Sequence, residues 1–257
     1  MSLTYESITV TTKDSIGWLT LNRPPLNIIT IDMMREITAG LRELASNNSL
    51  RLIALSAQGK FFSAGMDVDD HRPEKVDTMI KEFNELFLVM ETIEIPLLAV
   101  VQGTVLGGGL EIVCFCDFIV ASDKAKLGNP EIKLGFFPPV SAIIFPRIIS
   151  YPVAMELLCT GESITAERAF QIGLINRVFP ADSFEKDCET FIQLIAQNSG
   201  AVLKLTKRAV HRTQNCPFDK ALEIAADIFL NSLMKTNDTN EGIRAFFEKR
   251  KPQWKDS

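Results

Sequence analysis

A glycine-rich stretch that leads into a glutamate constrains this chain more than any other segment. It reads Val101-Gln-Gly-Thr-Val-Leu-Gly-Gly-Gly-Leu-Glu-Ile112. The run at 96–101 is short, apolar and bounded by a proline and a glycine, which is typical of a buried strand. The residues after the glycines are too rich in large apolar side chains for a loop. The pattern therefore predicts a strand, a tight turn and a helix whose first turn contains Glu111.

The three glycines at 107–109 allow two interpretations. They leave backbone N–H groups uncovered at a helix start, where negative charge binds. Glycines also cluster where two backbones pack closely, and a glutamate in a first turn interacts favourably with any helix dipole. The spacing is not G-x-G-x-x-G and no Gly-Lys-Ser/Thr follows, so it matches neither a dinucleotide site nor a P-loop. This stretch alone leaves both interpretations open.

Composition excludes several classes of protein. The chain has 257 residues, of which 46% are hydrophobic and 23% charged, as in a globular protein with a sizeable core. A formal charge of −5 argues against nucleic-acid binding. No run approaches 18 apolar residues and the N-terminal residues resemble no targeting segment, so we expect a cytoplasmic protein without a membrane span. The five cysteines form no metal-binding pattern, since Cys114-x-Cys116 has no second pair, and no metal is expected.

Strands alternate with helices over the first half of the chain. A hairpin is predicted at 5–11 and 16–21, amphipathic helices at 31–45 and 76–92, and buried strands at 52–56 and 96–101. Short strands follow at 118–121 and 125–127. This alternation predicts an α/β fold with parallel pairing. From about residue 150 the segments look helical: 155–160, 165–171, 184–198, 202–214, 218–234 and 241–249.

Two turns and two carboxylates carry the candidate chemistry. The turns at Ala64-Gly65 and at the three glycines each follow a buried strand, so neighbouring strands would bring them to one edge of a sheet. Two converging N–H groups there stabilise a developing oxyanion or enolate. Glu111 and Glu131 are joined by a strand pair that could fold back on itself, and two carboxyls that face one water act as general base and general acid when their pKa values separate. Paired glutamates are common, so this pattern is not specific.

Other candidates are weaker. For His71, in a loop after two aspartates, we favour a solvated surface position over a catalytic one. His211 lies on a basic helical stretch, for which a solvated face is favoured over attraction of a phosphate-bearing ligand. The apolar face of the helix at 76–92 is interpreted as core, with a pocket wall as the alternative.

The motifs together resemble the crotonase (enoyl-CoA hydratase/isomerase) family over nearly the whole chain. Each motif alone is weak, whereas all of them in order at family spacing are a strong signal. They are Leu21-Asn-Arg-Pro24 with Asn27, Phe62-Ser-Ala-Gly-Met-Asp67, Gly103-x-x-Leu106-Gly-Gly-Gly-Leu-Glu111, Cys116-Asp117, Leu127-Gly-Asn-Pro-Glu131 with Leu134-Gly135, Ala169-x-x-x-Gly173-Leu174 and Ala245-Phe-Phe-Glu-Lys-Arg250.

The resemblance implies a fold, a division of the chain and an activity. The fold would be a crotonase-type spiral of ββα units at 1–195, with a C-terminal helical oligomerisation region at 196–257. The substrate would be an acyl-CoA thioester, coenzyme A being part of the substrate and no separate cofactor being needed. The chain would form a homo-oligomer, a trimer or a hexamer. Family hydratases carry glutamates matching both Glu111 and Glu131, which favours addition of water across C2=C3 of an enoyl-CoA.

The resemblance also assigns roles to single residues. The thioester carbonyl would lie between the N–H groups of Ala64 and Gly108. Phe246 and Lys249 match residues that reach coenzyme A from a neighbouring subunit. The expected substrate-binding residues are Ser63, Gly65, Met66, Asp67, Phe136 and Pro138.

Two departures from the family pattern affect the substrate. Typical hydratases read Pro-Gly-Ala-Gly-Gly-Thr after the second glutamate, whereas this chain reads Phe137-Pro-Pro-Val-Ser-Ala142. Bulkier residues beside the acyl pocket put a straight short acyl chain in doubt and make a cyclic dienoyl-CoA an option. Asp69 stands where a lysine that contacts coenzyme A is often found.

Two alternative functions stay open at the level of sequence. Many isomerases of the family keep a single carboxylate, so an enoyl-CoA isomerase that uses Glu131 alone is the first. A non-catalytic acyl-CoA-binding trimer is the second.

Overall fold

The computed structural model describes residues 4–257, in which two sheets are wound together. The large sheet has the strand order β1 (Ile8–Lys13), β2 (Ile16–Leu21), β3 (Leu52–Ala57), β5 (Leu97–Val101), β7 (Phe118–Ser122) and β10 (Arg177–Phe179). The small sheet has the order β4 (Phe61–Ser63), β6 (Thr104–Leu106), β8 (Lys126–Gly128) and β9 (Ile164–Thr165). Pairing is antiparallel between β1 and β2 and between β8 and β9, and parallel elsewhere.

The chain repeats one unit: a strand in the large sheet, a strand in the small sheet, then a helix. The helices are α1 (Ile31–Ala45), α2 (Val76–Thr92), α3 (Gly108–Cys114), α4 (Pro139–Ile148), α5 (Tyr151–Thr160), α6 (Ala166–Gln171), α7 (Phe184–Ala196), α8 (Gly200–Thr213), α9 (Phe218–Asn231) and α10 (Asn237–Phe247). The units β3–β4–α2, β5–β6–α3 and β7–β8–α4 follow one another, which makes a spiral of ββα units.

Alternate residues of the central strands face two different cores, because successive strand side chains point to opposite faces of a sheet. In β3, Ile53 and Leu55 pack in the main cluster with residues of α1 and α2. Leu52 and Ala54 belong to a second cluster with Ile192 and other residues of α7. The central strands of the large sheet are therefore buried on both faces, as parallel strands generally are.

Three elements differ from the sequence predictions. Helix α4 begins within the proline-rich segment because Pro139 occupies the first helical position, where a missing N–H costs nothing. Strand β10 lies in the part of the chain predicted to be helical and pairs with β7 at the edge of the large sheet. Strand β6 lies inside the glycine-rich stretch, between β5 and the glycines. By contrast, α1 and α2 have the predicted bounds.

The residues after α10 fold back onto the rest of the molecule. Arg51 Nη2 donates to Asp256 Oδ2 at 2.8 Å, and Gly200 N donates to Asp256 Oδ1 at 2.6 Å. Asp238, 1% exposed, accepts from the backbone N–H groups of Lys255 and Asp256.

No helix in residues 4–257 is both long enough and apolar enough to cross a membrane. The part of the predicted core that falls on residues 1–3 lies outside the described residues.

Candidate functional site

The two predicted turns lie against each other, because β4 and β6 are parallel neighbours in the small sheet. A Cβ atom on Gly65 would lie 3.3 Å from the carbonyl oxygen of Leu106 and 3.7 Å from Gly107 Cα. A Cβ atom on Gly108 would lie 2.5 Å from Met66 Cγ. Gly65 is therefore required by the close approach of the two backbones, and Gly108 lies against the Met66 side chain, so the two turns pack directly on each other.

The N–H group of Ala64 is not free to bind an oxyanion, which corrects the prediction for that residue. It donates to the carbonyl oxygen of Leu26 at 2.9 Å. The N–H of Met66, two residues on, makes no hydrogen bond within the described part of the chain. Gly108 is the first residue of α3, so its N–H has no partner within the helix. The pair of free donors is thus Met66 and Gly108.

Two of the six expected substrate-binding residues do not line the cavity described below. Ser63 is fully buried; its Oγ donates to the Asn27 carbonyl at 2.8 Å and accepts from Gly65 N at 3.1 Å. The Asp67 side chain accepts from Asp69 N at 3.0 Å, which caps a 3-10 helix, Val68–His71. Both side chains hold the turn that carries Met66 in place.

A cavity of about 380 Å³ opens beside the two turns. Apart from glutamates 111 and 131, its only polar side chain among the described residues is His71. The other lining residues are glycine, alanine or apolar: Ala64, Gly65, Met66, Val68, Val76, Met79, Ile80, Phe83, Gly107, Gly108, Pro130, Leu134, Gly135, Phe136, Phe137, Pro138 and Pro139. Four expected substrate-binding residues are in this set, and one face of α2 forms a wall, the alternative that the sequence left open.

Glu111 is held between α3, which carries it, and the first turn of α4. Its Oε1 accepts from the N–H groups of Val140 at 2.7 Å and Ser141 at 2.9 Å. Burial to 2% exposure, with a smaller contribution from the nearby Glu131, raises the pKa of Glu111 to about 8 against the lowering effect of the N–H groups of Ser141 and Val140. Glu111 therefore keeps its proton at neutral pH. Because Oε1 accepts two hydrogen bonds, the proton belongs on Oε2.

Glu131 lies in the 3-10 helix Pro130–Leu134 that follows β8. Its Oε1 is so near Gly107 that a Cβ atom there would lie 2.8 Å away. Its Oε2 is buried and has no hydrogen-bond partner in residues 4–257. Burial raises the pKa of Glu131, whereas a hydrogen bond from Asn129 and the nearby His71 act to lower it. The structure thus brings together two carboxyls of different environment, a condition for dividing acid and base roles.

His71 lines the cavity, although the sequence favoured a solvated surface position. Its Nδ1 lies 2.9 Å from the Asp67 carbonyl oxygen, so Nδ1 carries a proton and donates. Its ring packs against Phe136, with 4.9 Å between ring centroids. The position of His71 in the sequence could have identified it. It comes four residues after Asp67, about one helical turn beyond the predicted turn at Ala64-Gly65.

The basic stretch around His211 faces the chain's own carboxylates, so neither interpretation from the sequence holds. Lys207, 8% exposed, donates to Asp117 Oδ2 at 2.6 Å, and His211 Nε2 lies 3.4 Å from Asp117 Oδ1. Burial acts to raise the pKa of Asp117, but His211 and Lys207 outweigh it and hold that pKa below its usual range. Arg208 pairs with Glu94 at 2.6 Å. These contacts join α8 to the large sheet.

The remaining predicted residues lie outside the cavity. Phe246 is 78% exposed near the end of α10, and Lys249 is exposed just beyond it. Asp69 pairs with Lys75 at the surface. Within residues 4–257, no three His, Cys, Asp or Glu side chains are grouped to hold a metal ion.

Comparison with known proteins agrees with this geometry. The family model for enoyl-CoA hydratase/isomerase matches residues 11–257. A probable enoyl-CoA hydratase of Mycobacterium bovis is 34% identical over 255 residues, covering 98% of this chain and 99% of the relative. The chain belongs to the enoyl-CoA hydratase/isomerase family.

Other members of the enoyl-CoA hydratase/isomerase family extend the comparison. A cyclohexa-1,5-dienecarbonyl-CoA hydratase of Thauera aromatica is 33% identical over 236 residues, covering 92% of this chain and 91% of the relative. The crystal structure of an enoyl-CoA hydratase from Bacillus anthracis superposes with a TM-score of 0.93 at 27% identity, covering 98% of this chain and all of the other (100%). The predicted family and the predicted α/β spiral fold with C-terminal helices are confirmed.

Proposed function

We propose that this protein is an enoyl-CoA hydratase, a lyase that adds water across the C2=C3 bond of an enoyl-CoA thioester. The observation that carries the proposal is the pair of carboxyls on one apolar cavity, Glu111 with a raised pKa and Glu131 with an unpartnered buried oxygen. The similarity to several enoyl-CoA hydratases supports it.

The thioester carbonyl oxygen is bound by the N–H groups of Met66 and Gly108. Both donors are fixed by the packing of the two turns, so they need no rearrangement as negative charge develops on the oxygen. Loss of one such donor typically raises the barrier by about 2.7–4 kcal/mol. This pair replaces the pair expected from the sequence, in which Ala64 was the first donor.

The water lies between the two glutamates. Glu111, protonated on Oε2, donates to the water oxygen and so orients it, while the Glu131 carboxylate accepts one of the water protons. The water oxygen attacks C3, the C2=C3 electrons move to the thioester oxygen as an enolate, and the proton passes to Glu131. Glu131 then returns that proton to C2 as the enolate collapses. The product is a 3-hydroxyacyl-CoA, Glu131 is again a carboxylate, and no group beyond the chain and its substrate is required.

The acyl group is compact and apolar. Phe136, Phe137, Pro138 and Pro139 line the cavity with bulky side chains in the segment where typical hydratases, by the resemblance in sequence, carry small glycines. Ring-shaped and branched acyl groups match such a volume better than extended ones do. The Thauera relative, named for a cyclic diene, makes a cyclic dienoyl-CoA the first substrate to try.

The assembly is proposed from the family resemblance and from exposure. Phe246 and Phe247, each 78% exposed, and Lys249 stand at the end of α10, where they would reach coenzyme A bound to a neighbouring subunit. A homotrimer, or a hexamer of two trimers, built through the helical region 196–257 supplies that neighbour to the core at 1–195. We place this assembly in the cytoplasm.

The test is an activity screen of the purified protein over straight, branched and cyclic enoyl- and dienoyl-CoA esters, with products identified by mass spectrometry. The rate of hydration should show a bell-shaped dependence on pH. It should rise as Glu131 ionises and fall near pH 8 as Glu111 loses its proton. Glu131→Gln should lower kcat by about 10²–10⁴-fold, and Glu111→Gln should also lower it.

Two outcomes would contradict the hydratase proposal. If Glu111→Gln keeps full activity and double-bond migration is the main reaction, the protein is an isomerase that uses Glu131 alone. If CoA esters bind but none is converted, it is a non-catalytic binding protein.

A further inference from the structure

Asn129 lies behind Glu131, outside the acyl cavity, and is 2% exposed. It immediately precedes the 3-10 helix that carries Glu131. Its Nδ2 lies 3.4 Å from Glu131 Oε1 and 3.5 Å from the carbonyl oxygen of Gly107. Both neighbours only accept hydrogen bonds, so the amide must turn its NH₂ end toward them. One side chain thus contacts both the glutamate and the glycine turn.

The other end of the Asn129 amide lacks a partner. Its Oδ1 is buried and accepts no hydrogen bond from residues 4–257. Asn129 also lines a second cavity of only about 10 Å³, whose walls include Leu110, Leu127 and Leu174. A buried carbonyl oxygen without a donor lowers stability, whereas a leucine of the same shape would carry no such penalty in these apolar surroundings. The unpaired Oδ1 therefore lowers the stability of the fold, and the contacts of Nδ2 with Glu131 and Gly107 must offset that loss.

The backbone around Asn129 fixes the geometry of that contact. Gly107 N donates to the carbonyl oxygen of Gly128 at 2.9 Å, so the glycine turn and the segment before Glu131 are already joined. The Asn129 side chain adds a second link one residue further on, from Nδ2 to the Gly107 carbonyl. Glu131 Oε1 occupies the space that a side chain at 107 would fill.

We propose that Asn129 is a positioning residue, which holds the Glu131 carboxylate against the glycine turn so that Oε2 faces the water and C2 of the substrate. The inference rests on the proposed hydratase function for its kinetic consequence, but not for its effect on the Glu131 carboxyl itself. Because the amide donates to the charged form of Glu131, it also favours ionisation of that group.

The test compares the full-length wild type with Asn129→Leu, which keeps the shape and removes both polar ends. We expect kcat for enoyl-CoA hydration to fall about tenfold with little change in KM, since proton transfer and not binding is affected. In a plot of kcat/KM against pH, the rise on the acid side (the acid limb) should shift to a pH about one unit higher, because the Glu131 carboxylate loses a hydrogen-bond donor. Asn129→Asp should move that limb further, since it also adds a like charge.

Leu174→Ala is the matched control, because Leu174 borders the same small cavity from outside the catalytic machinery and is 3% exposed. It should lower the melting temperature without moving the acid limb. If Asn129→Leu likewise lowers the melting temperature and leaves the limb unmoved, Asn129 is only structural and the inference is overturned.

A second measurement separates this inference from the proposed function. The pKa of the Glu131 carboxyl is followed by ¹³C NMR of glutamate-labelled protein, with Glu131→Gln to assign the signal. A pKa that is higher in Asn129→Leu than in wild type supports the positioning role even if no enoyl-CoA ester is hydrated. An unchanged pKa overturns it even if hydration is found.

Discussion

At Glu111, the contacts that matter most are with backbone rather than with another side chain. The first turn of α4 gives two N–H groups to one carboxyl oxygen, and the other oxygen is left for the cavity. These donors fix the orientation of the carboxyl without supplying a positive charge, so burial still dominates and the pKa rises. A neutral, oriented acid is the result.

The raised pKa of Glu111 makes a prediction about stability. The folded protein holds this proton up to a pH of about 8, whereas a glutamate in the unfolded chain releases it near its ordinary value of 4.5. The folded state thus binds more protons between those values, and the free energy of unfolding falls as pH rises through that window. Glu111→Gln has no proton to lose, so it should stabilise the protein by about 2–4 kcal/mol at pH 8 and by little at pH 5.

Urea unfolding of Glu111→Gln at both pH values measures this difference. Glu223→Gln, in an exposed pair with Lys220, is the control and should show almost none. Equal stabilisation at both pH values would mean that the Glu111 carboxyl is ionised in the folded state.

The sequence singled out both carboxyls through the family resemblance, and the structure brings them to one cavity, but the sequence did not identify the free amide donors. Glu111 follows a strand and a glycine turn, whereas Glu131 comes just after a short strand. Which N–H is free depends on Leu26, 38 residues before Ala64 in the chain, whose carbonyl occupies the Ala64 amide. Such a partner is set by tertiary packing and leaves no mark near the motif, so the donor was placed two residues too early.

At the scale of elements, the glycine turn is a joint between the small sheet and α3. Gly107 has φ +52° and ψ −133°, a conformation that side-chain-bearing residues rarely adopt. Gly107 also contacts Glu131 across the turn. A side chain at position 107 would therefore cause both backbone strain and a clash with the glutamate.

Gly107→Ala should combine both effects. We expect a loss of about 1–3 kcal/mol in the free energy of unfolding from strain, and a fall of about a hundredfold in kcat because Glu131 is displaced. Gly59→Ala separates them, since Gly59 has φ +87° but nothing within 4 Å of its added Cβ. It should lose stability and keep its kcat. Chemical denaturation with steady-state kinetics on both variants tests this, and equal kcat values would contradict it.

Periodicity predicted the long helices but missed some short elements. Helices α1 and α2 present apolar side chains at three- and four-residue steps over fifteen or more residues, so their bounds were found. Helix α4 has Pro139 at its start and Pro146 inside, and β10 has three residues, too few for any period to show. Both are formed because neighbours cover them: α4 packs on α3, and β10 on β7.

At the scale of the whole molecule, the last residues join parts that are far apart in sequence. Asp256 forms an ion pair with Arg51 across 205 residues, and both side chains are about four-fifths buried. Asp256→Asn keeps the left-handed backbone, which asparagine tolerates, and removes the charge. We expect a loss of about 1–3 kcal/mol in stability, because Arg51 is left without its partner, and an unchanged kcat.

Asp32→Asn, where the aspartate is 88% exposed and pairs with Arg35, is the control and should change stability little. Thermal unfolding of the two variants side by side measures the effect. A loss for Asp256→Asn no greater than for Asp32→Asn would show that the fold does not depend on this contact.

The place of β10 beside β7 has a consequence for synthesis of the chain. Residues of the cavity, from 64 to 139, leave the ribosome well before residues 177–179, which complete the large sheet. Until then the edge of β7 is unpaired, and unpaired strand edges are where chains aggregate. We expect nascent chains that stop before residue 177 to bind chaperones, and chains long enough for residues 177–179 to have left the ribosome to be released. The order in which the strands leave the ribosome, rather than the stability of the finished fold, then determines how long the edge of β7 is open to aggregation.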